Sequence, residues 1–126
     1  MGKKILIIED NEQNLYLVTF ILEKNGYNVV QARSGDEGLR VAVICEPDLI
    51  LLDIQLPVMD GYTVARELRK IPALANIPII AVTSFAMPGD REQALAAGCT
   101  GYIEKPIDPD TFITQVNQHL PPHQVY

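Results

Sequence analysis

Two uninterrupted aliphatic runs, Ile5-Leu6-Ile7-Ile8 and Leu49-Ile50-Leu51-Leu52, both end in acid: Glu9-Asp10 follows the first and Asp53 the second. A β-strand that is apolar at every position must be covered on both faces, which places it inside a layered α/β sheet. An acid at the last position of such a strand then lies at the rim of the sheet. Three carboxylates at one rim repel one another unless something positive joins them. A divalent cation is the simplest partner, and a metal held by carboxylates is a platform for phosphoryl chemistry. Two later runs add polar groups at their ends: Ile79-Ile80-Ala81-Val82 leads into Thr83, and Gly101-Tyr102-Ile103-Glu104 into Lys105.

Short apolar runs alternate with amphipathic stretches along the whole chain. The pattern predicts strands over 4–9, 28–32, 48–53, 78–83 and 101–104, and helices over 12–25, 35–45, 61–70, 88–97 and 109–119. Strands separated by helices imply βαβ units, a parallel sheet and, with right-handed crossovers, helices on both faces. The punctuation agrees. Gly26 can take the left-handed position that closes the first helix. Ser34 and Glu37 are spaced as a capping box for the second. Asp60 can cap the third, with Pro72 stopping it. Pro88 suits the first turn of the fourth and Gly98 its end, and Asp108-Pro109 opens the fifth. In open α/β sheets, ligands bind beyond the carboxyl ends of the strands, which is where Glu9, Asp10, Asp53, Thr83 and Lys105 fall.

With 126 residues, the chain is read as one domain over 1–120 and a short tail over 121–126. A net charge of −6 and the lack of a Lys/Arg cluster disfavour nucleic acid and anionic lipid as partners. Cys45 and Cys99 are far apart and outside any Cys-x-x-Cys motif, and no stretch is apolar enough for a signal peptide or a membrane span. These features read as reduced thiols in a cytoplasmic protein.

Four pieces in order, Ile8-Glu9-Asp10-Asn11, Asp53 through Gly61 (DIQLPVMDG), Thr83-Ser84 and Lys105-Pro106, carry a family likeness. The chain resembles the receiver domain of two-component response regulators, the CheY-like superfamily, over residues 3 to about 120. Glu9 to Asn14, with Phe85-Ala86-Met87, look most like single-domain regulators of the cell-division type. The resemblance implies a flavodoxin-like, doubly wound, five-stranded parallel sheet of order 2-1-3-4-5 with five helices. It implies Mg²⁺ as cofactor, and Asp53 as phosphoacceptor from a phosphohistidine on a histidine kinase or histidine phosphotransfer protein. Asp10 and Asp53 would ligate the metal directly, Glu9 mainly through water, and Gln55 through its backbone carbonyl. Lys105, next to a cis Lys-Pro bond, would pair with Asp53 at rest and with the phosphoryl group afterwards.

Thr83 is the expected switch hydroxyl, with Tyr102 coupled to it; strand propensity alone would also account for a Thr and a half-buried Tyr there. Either Asp10 or Asn11 could instead cap the first helix. Gln55 and Phe85 are candidates for tuning dephosphorylation, since a bulky ring two residues past Thr83 would exclude attacking water. On the first helix Leu15, Val18 and Leu22 face inward, which turns Tyr16, Leu17 and Phe20 outward as a docking face. A wide core stripe with Phe20 lying flat is the alternative. Output would pass to a downstream protein through the fourth helix, fifth strand and fifth helix, from a monomer or a weak phosphorylation-dependent dimer.

Three other readings compete. A phosphatase of the haloacid dehalogenase type would want a second acid two residues after Asp53, where Gln55 stands, and a cap domain. A flavin binder of the flavodoxin type would want a phosphate-cradling loop where the acidic Glu9-Asp10-Asn11-Glu12 stands. The chain could also be the receiver piece of a larger hybrid kinase. The receiver is not read as an enzyme in the ordinary sense; it would catalyse only its own phosphorylation and dephosphorylation.

Overall fold

The computed structural model describes residues 2–84 and 87–120. Five strands alternate with five helices: β1 (Lys4–Ile8), α1 (Glu12–Lys24), β2 (Asn28–Ala32), α2 (Gly35–Cys45), β3 (Leu49–Asp53), α3 (Gly61–Arg69), β4 (Ile79–Thr83), α4 (Asp90–Ala96), β5 (Gly101–Glu104) and α5 (Pro109–His119). A 3₁₀ turn, Pro72–Leu74, follows α3. All pairings are parallel and the order is β2-β1-β3-β4-β5. The strand order reverses between β1 and β3, which sets their carboxyl ends side by side and opens the crevice there.

The aliphatic runs split their side chains between two cores, as period-two alternation requires. Leu6, Ile8, Ile50 and Leu52 join Val64, Ala65 and Leu68 of α3 and Ala94 of α4 in one cluster. Ile5, Ile7, Leu49 and Leu51 join Leu15, Val18, Ile21 and Leu22 of α1 and Phe112 and Val116 of α5 in the other. Each fully buried Leu or Ile contributes about 1.5–3 kcal/mol relative to exposure, so β1 and β3 are the most firmly anchored segments available to carry a site. In β3 and β4 every residue is buried up to and including Asp53 and Thr83.

The caps stand largely where the sequence put them. Ser34 accepts the Glu37 N–H, Asp60 the Thr63 N–H and Asp108 the Asp110 N–H. Gly26 takes φ 89 just past α1. Helix α4 is the exception. It begins at Asp90 rather than Pro88, because Gly89 sits at φ 91 as its N-cap, a left-handed conformation that cannot continue a right-handed turn. The Asp90 carboxylate instead closes the turn from outside, accepting the Met87 N–H at 2.7 Å.

Candidate functional site

The crevice gathers its charged groups from three strand ends. Asp53, the last residue of β3, is 4% exposed, and Glu9 is similarly buried just past β1. Asp53 Oδ1 accepts the Gln55 N–H at 2.9 Å, which folds the chain sharply after the strand. The return to α3 requires Gly61: its N–H donates to Ile54 C=O at 3.0 Å, and a Cβ there would lie 2.6 Å from Asp53 O and Ile54 Cα. By sequence, Asp60-Gly61 is a turn and a cap. In the structure Gly61 also lets the start of α3 press against the backbone of the phosphoacceptor candidate.

Lys105 reaches in from the end of β5. Its N–H donates to Thr83 C=O at 2.8 Å, and the Lys105-Pro106 bond is cis, as the resemblance implied. The ammonium lies 3.0 Å from Glu9 Oε1 and 3.6 Å from Asp53 Oδ2. The expectation that Lys105 pairs with Asp53 at rest is therefore refined. One cation stands between two buried acids and makes its shorter contact with Glu9. Two acids sharing one cation leave negative charge in excess, and Glu9 carries the strain. Its carboxyl is pushed up to about 7, first by burial, then by the hydrogen bond and charge of Asp53, against the opposing pull of Lys105.

The choice of cap for α1 resolves in favour of Asn11, whose side chain accepts the Asn14 N–H at 2.9 Å. Its own N–H donates to Glu9 Oε2 at 3.2 Å. Asp10 is thereby left exposed at the mouth of the crevice, and one carboxylate oxygen from each of Glu9, Asp10 and Asp53 lies within 4.8 Å of the other two. Clustered hard oxygens, without thiolate or imidazole, fit a hard divalent cation such as Mg²⁺, which takes one or two carboxylates and keeps several waters.

Thr83 is buried at the end of β4. Its Oγ1 accepts a hydrogen bond from Gln55 Nε2 at 2.5 Å, while Gln55 Oε1 accepts the Ser84 N–H at 2.9 Å. The sequence points to Gln55 for its carbonyl and for tuning, but not to this bridge. Nothing in a linear string tells that two loops 28 residues apart approach within the reach of one amide.

Ala81 pairs with Tyr102 and Thr83 with Glu104, so Thr83 and Tyr102 occupy the same face of the sheet as diagonal neighbours. The Tyr102 ring is 9% exposed and packs in the α3–α4 core, with the Arg91 guanidinium 5.4 Å from its centroid. Its hydroxyl is buried without a hydrogen-bond partner among the described residues. Phe85 lies outside the described residues.

Outside the crevice, α1 turns Tyr16 (74% exposed), Leu17 (40%) and Phe20 (55%) outward, while Ile21 joins Leu15, Val18 and Leu22 in the core. Phe20 does not lie flat in the core; Lys24 Nζ stands 5.9 Å above its ring. Leu17 and Phe20 line a groove shared with Pro109 and Ile113 of α5.

The sequence profile of the response regulator receiver domain matches residues 5–117. The chain belongs to the response regulator receiver family. Among its relatives are the polar-differentiation response regulators DivK of Brucella ovis, 45% identical over 95% of this chain and 98% of that protein, and of Brucella anthropi, 44% identical over the same shares. Among solved structures, Vibrio cholerae chemotaxis protein CheY4 superposes with a TM-score of 0.92 at 28% identity, covering 95% of this receiver and all of that chain. The receiver domain of a Pseudomonas aeruginosa sensor histidine kinase superposes with a TM-score of 0.87 at 36% identity, covering 94% and 98%, and holds a magnesium ion coordinated in its active-site cleft. The receiver family is not a family of classical enzymes, and the phosphatase reading is not favoured.

Proposed function

We propose that this receiver takes a phosphoryl group onto Asp53 from a phosphohistidine on a histidine kinase or histidine phosphotransfer protein, and passes the change on by protein contact. The observation that carries this reading is the buried Asp53 carboxylate at the end of β3, 3.6 Å from Lys105 Nζ and grouped with Glu9 and Asp10. In the transfer an Asp53 carboxylate oxygen forms the new O–P bond. The N–P bond of the donor breaks, and its electron pair stays on the histidine nitrogen. The product is an acyl phosphate. Asp53, Asp10, Glu9 and the Gln55 carbonyl would hold Mg²⁺, which when bound neutralises the acids and the developing phosphoryl charge. Lys105 supplies the second positive charge, exchanging part of its contact with Glu9 for one with a phosphoryl oxygen.

Thr83 Oγ–H would donate to the phosphoryl group, and Tyr102 on the same face of the sheet would respond to its shift. Tyr16, Leu17 and Phe20 would receive the donor helix, with output through the α4–β5–α5 face. The role of a single-domain regulator is supported by the DivK relatives, which the chain matches over nearly their full length, and we place it in the cytoplasm. Among the described residues, no helix is long and apolar enough to cross a membrane. Incubation with acetyl phosphate and Mg²⁺ should add the mass of one phosphoryl group to the intact protein, and Asp53→Asn should abolish the gain. Persistence of the gain in Asp53→Asn would move the acceptor elsewhere.

A further inference from the structure

We infer that the Gln55 side chain is a resting-state latch on the switch: it holds Thr83 and Ser84 until a phosphoryl group on Asp53 displaces it. The primary amide is used at both ends. Nε2 donates to Thr83 Oγ1 and Oε1 accepts the Ser84 N–H at 2.9 Å, so one side chain on the β3–α3 loop grips the last residue of β4 and the first residue of the β4–α4 loop. The same residue's backbone N–H is tied to Asp53 Oδ1 at 2.9 Å. The latch is thus anchored to the carboxylate whose modification it answers to.

A phosphoryl group on Asp53 brings three strong acceptor oxygens to this rim. They compete with Gln55 Oε1 for the Ser84 N–H, whose present acceptor is a neutral amide oxygen, and they draw the Thr83 hydroxyl, whose oxygen now accepts from Gln55 Nε2, away from the amide. An anionic acceptor outcompetes a neutral one for an N–H. Gln55 Oε1 therefore acts as a weak stand-in, at the Ser84 N–H, for a phosphoryl oxygen. Its hydrogen bonds lower the population of the activated loop and add to what the phosphoryl group must overcome. Gln55 and Ser84 are exposed, so the bridge is modest in strength and opens readily, as a latch must.

This role rests on Asp53 being the phosphoacceptor, and the test separates the two. Wild type, Gln55→Met and Gln55→Glu are titrated with beryllofluoride at saturating Mg²⁺, and Ser84 amide exchange is followed by NMR without beryllofluoride. Methionine keeps the length and the backbone carbonyl but neither hydrogen bond. Glutamate keeps the acceptor for Ser84 and loses the donor to Thr83. In Gln55→Met the free protein should exchange the Ser84 N–H about tenfold faster, and beryllofluoride should half-saturate at about a third of the wild-type concentration or lower. Gln55→Glu should retain Ser84 protection. Unchanged Ser84 exchange in Gln55→Met, or a half-saturation equal to or above wild type, overturns the latch. Failure of wild type to bind beryllofluoride at all would instead remove Asp53 as acceptor.

Discussion

Asp53, Glu9 and Lys105 show what single residues can do when their neighbours are rigid. Each acid is buried at the end of an uninterrupted aliphatic run, so neither can retreat into water, and their shared cation cannot satisfy both. Val58 shows the opposite arrangement. It is a fully exposed β-branched residue at φ 68, with the Met59 N–H donating to Pro57 C=O at 2.7 Å around it. Such a backbone costs a β-branched side chain about 1–3 kcal/mol, whereas a glycine there costs about 0.5–1 kcal/mol in unfolded-state entropy. The strain outweighs that entropy, and no packing is lost. Val58→Gly should therefore stabilise the domain by about 1 kcal/mol, raising Tm by about 3 °C; an unchanged or lower Tm in calorimetry would contradict this. Phe85 stands two residues past Thr83 in the sequence. Its ring should exclude attacking water, so Phe85→Glu should shorten the phosphoaspartate lifetime by about tenfold, and equal hydrolysis rates in the two proteins would remove that role.

At the scale of elements, what could be read in advance depended on whether one segment carried its own signal. β1 and β3 were legible because uninterrupted Ile and Leu admit only a doubly covered strand, and α1 because its inward stripe repeats with helical period. The start of α4 was not, because Pro88 and Gly89 both suit a helix entrance and only the backbone at Gly89 decides between them. The Gln55 bridge and the Glu9–Lys105 contact were invisible for a different reason: each joins loops that only the sheet order brings together. Helix α1 also carries the docking proposal. Leu17 is 40% exposed beside the α5 groove and contributes little to either core. Leu17→Glu should leave Tm within about 2 °C while slowing phosphotransfer from a phosphorylated histidine donor about tenfold or more. Transfer at the wild-type rate would place the docking surface elsewhere.

For the molecule as a whole, the crevice trades stability for reactivity. The Glu9 carboxyl is held at about 7 in the folded metal-free protein against 4.5 ordinarily, mainly by burial. Between those values the folded state binds more protons than the unfolded chain, so this group's contribution to stability falls as pH rises through the window. The shift is worth on the order of 2–3 kcal/mol. In chelator, Glu9→Gln should gain that much stability relative to wild type between pH 5 and pH 8, as followed by urea unfolding. Saturating Mg²⁺ should largely erase the gain, because the cation then offsets the charge that burial penalises. A pH-independent difference between the two proteins would show that Glu9 does not carry the excess charge.

The most direct test of the account is to locate the modified atom. Protein treated with acetyl phosphate and Mg²⁺ is reduced with borohydride, which converts an aspartyl phosphate to homoserine, and the peptides are sequenced by mass spectrometry. Homoserine at position 53, dependent on Mg²⁺ and strongly diminished in Lys105→Ala, is the predicted result. Homoserine at another acid, or equal labelling in chelator, would contradict it.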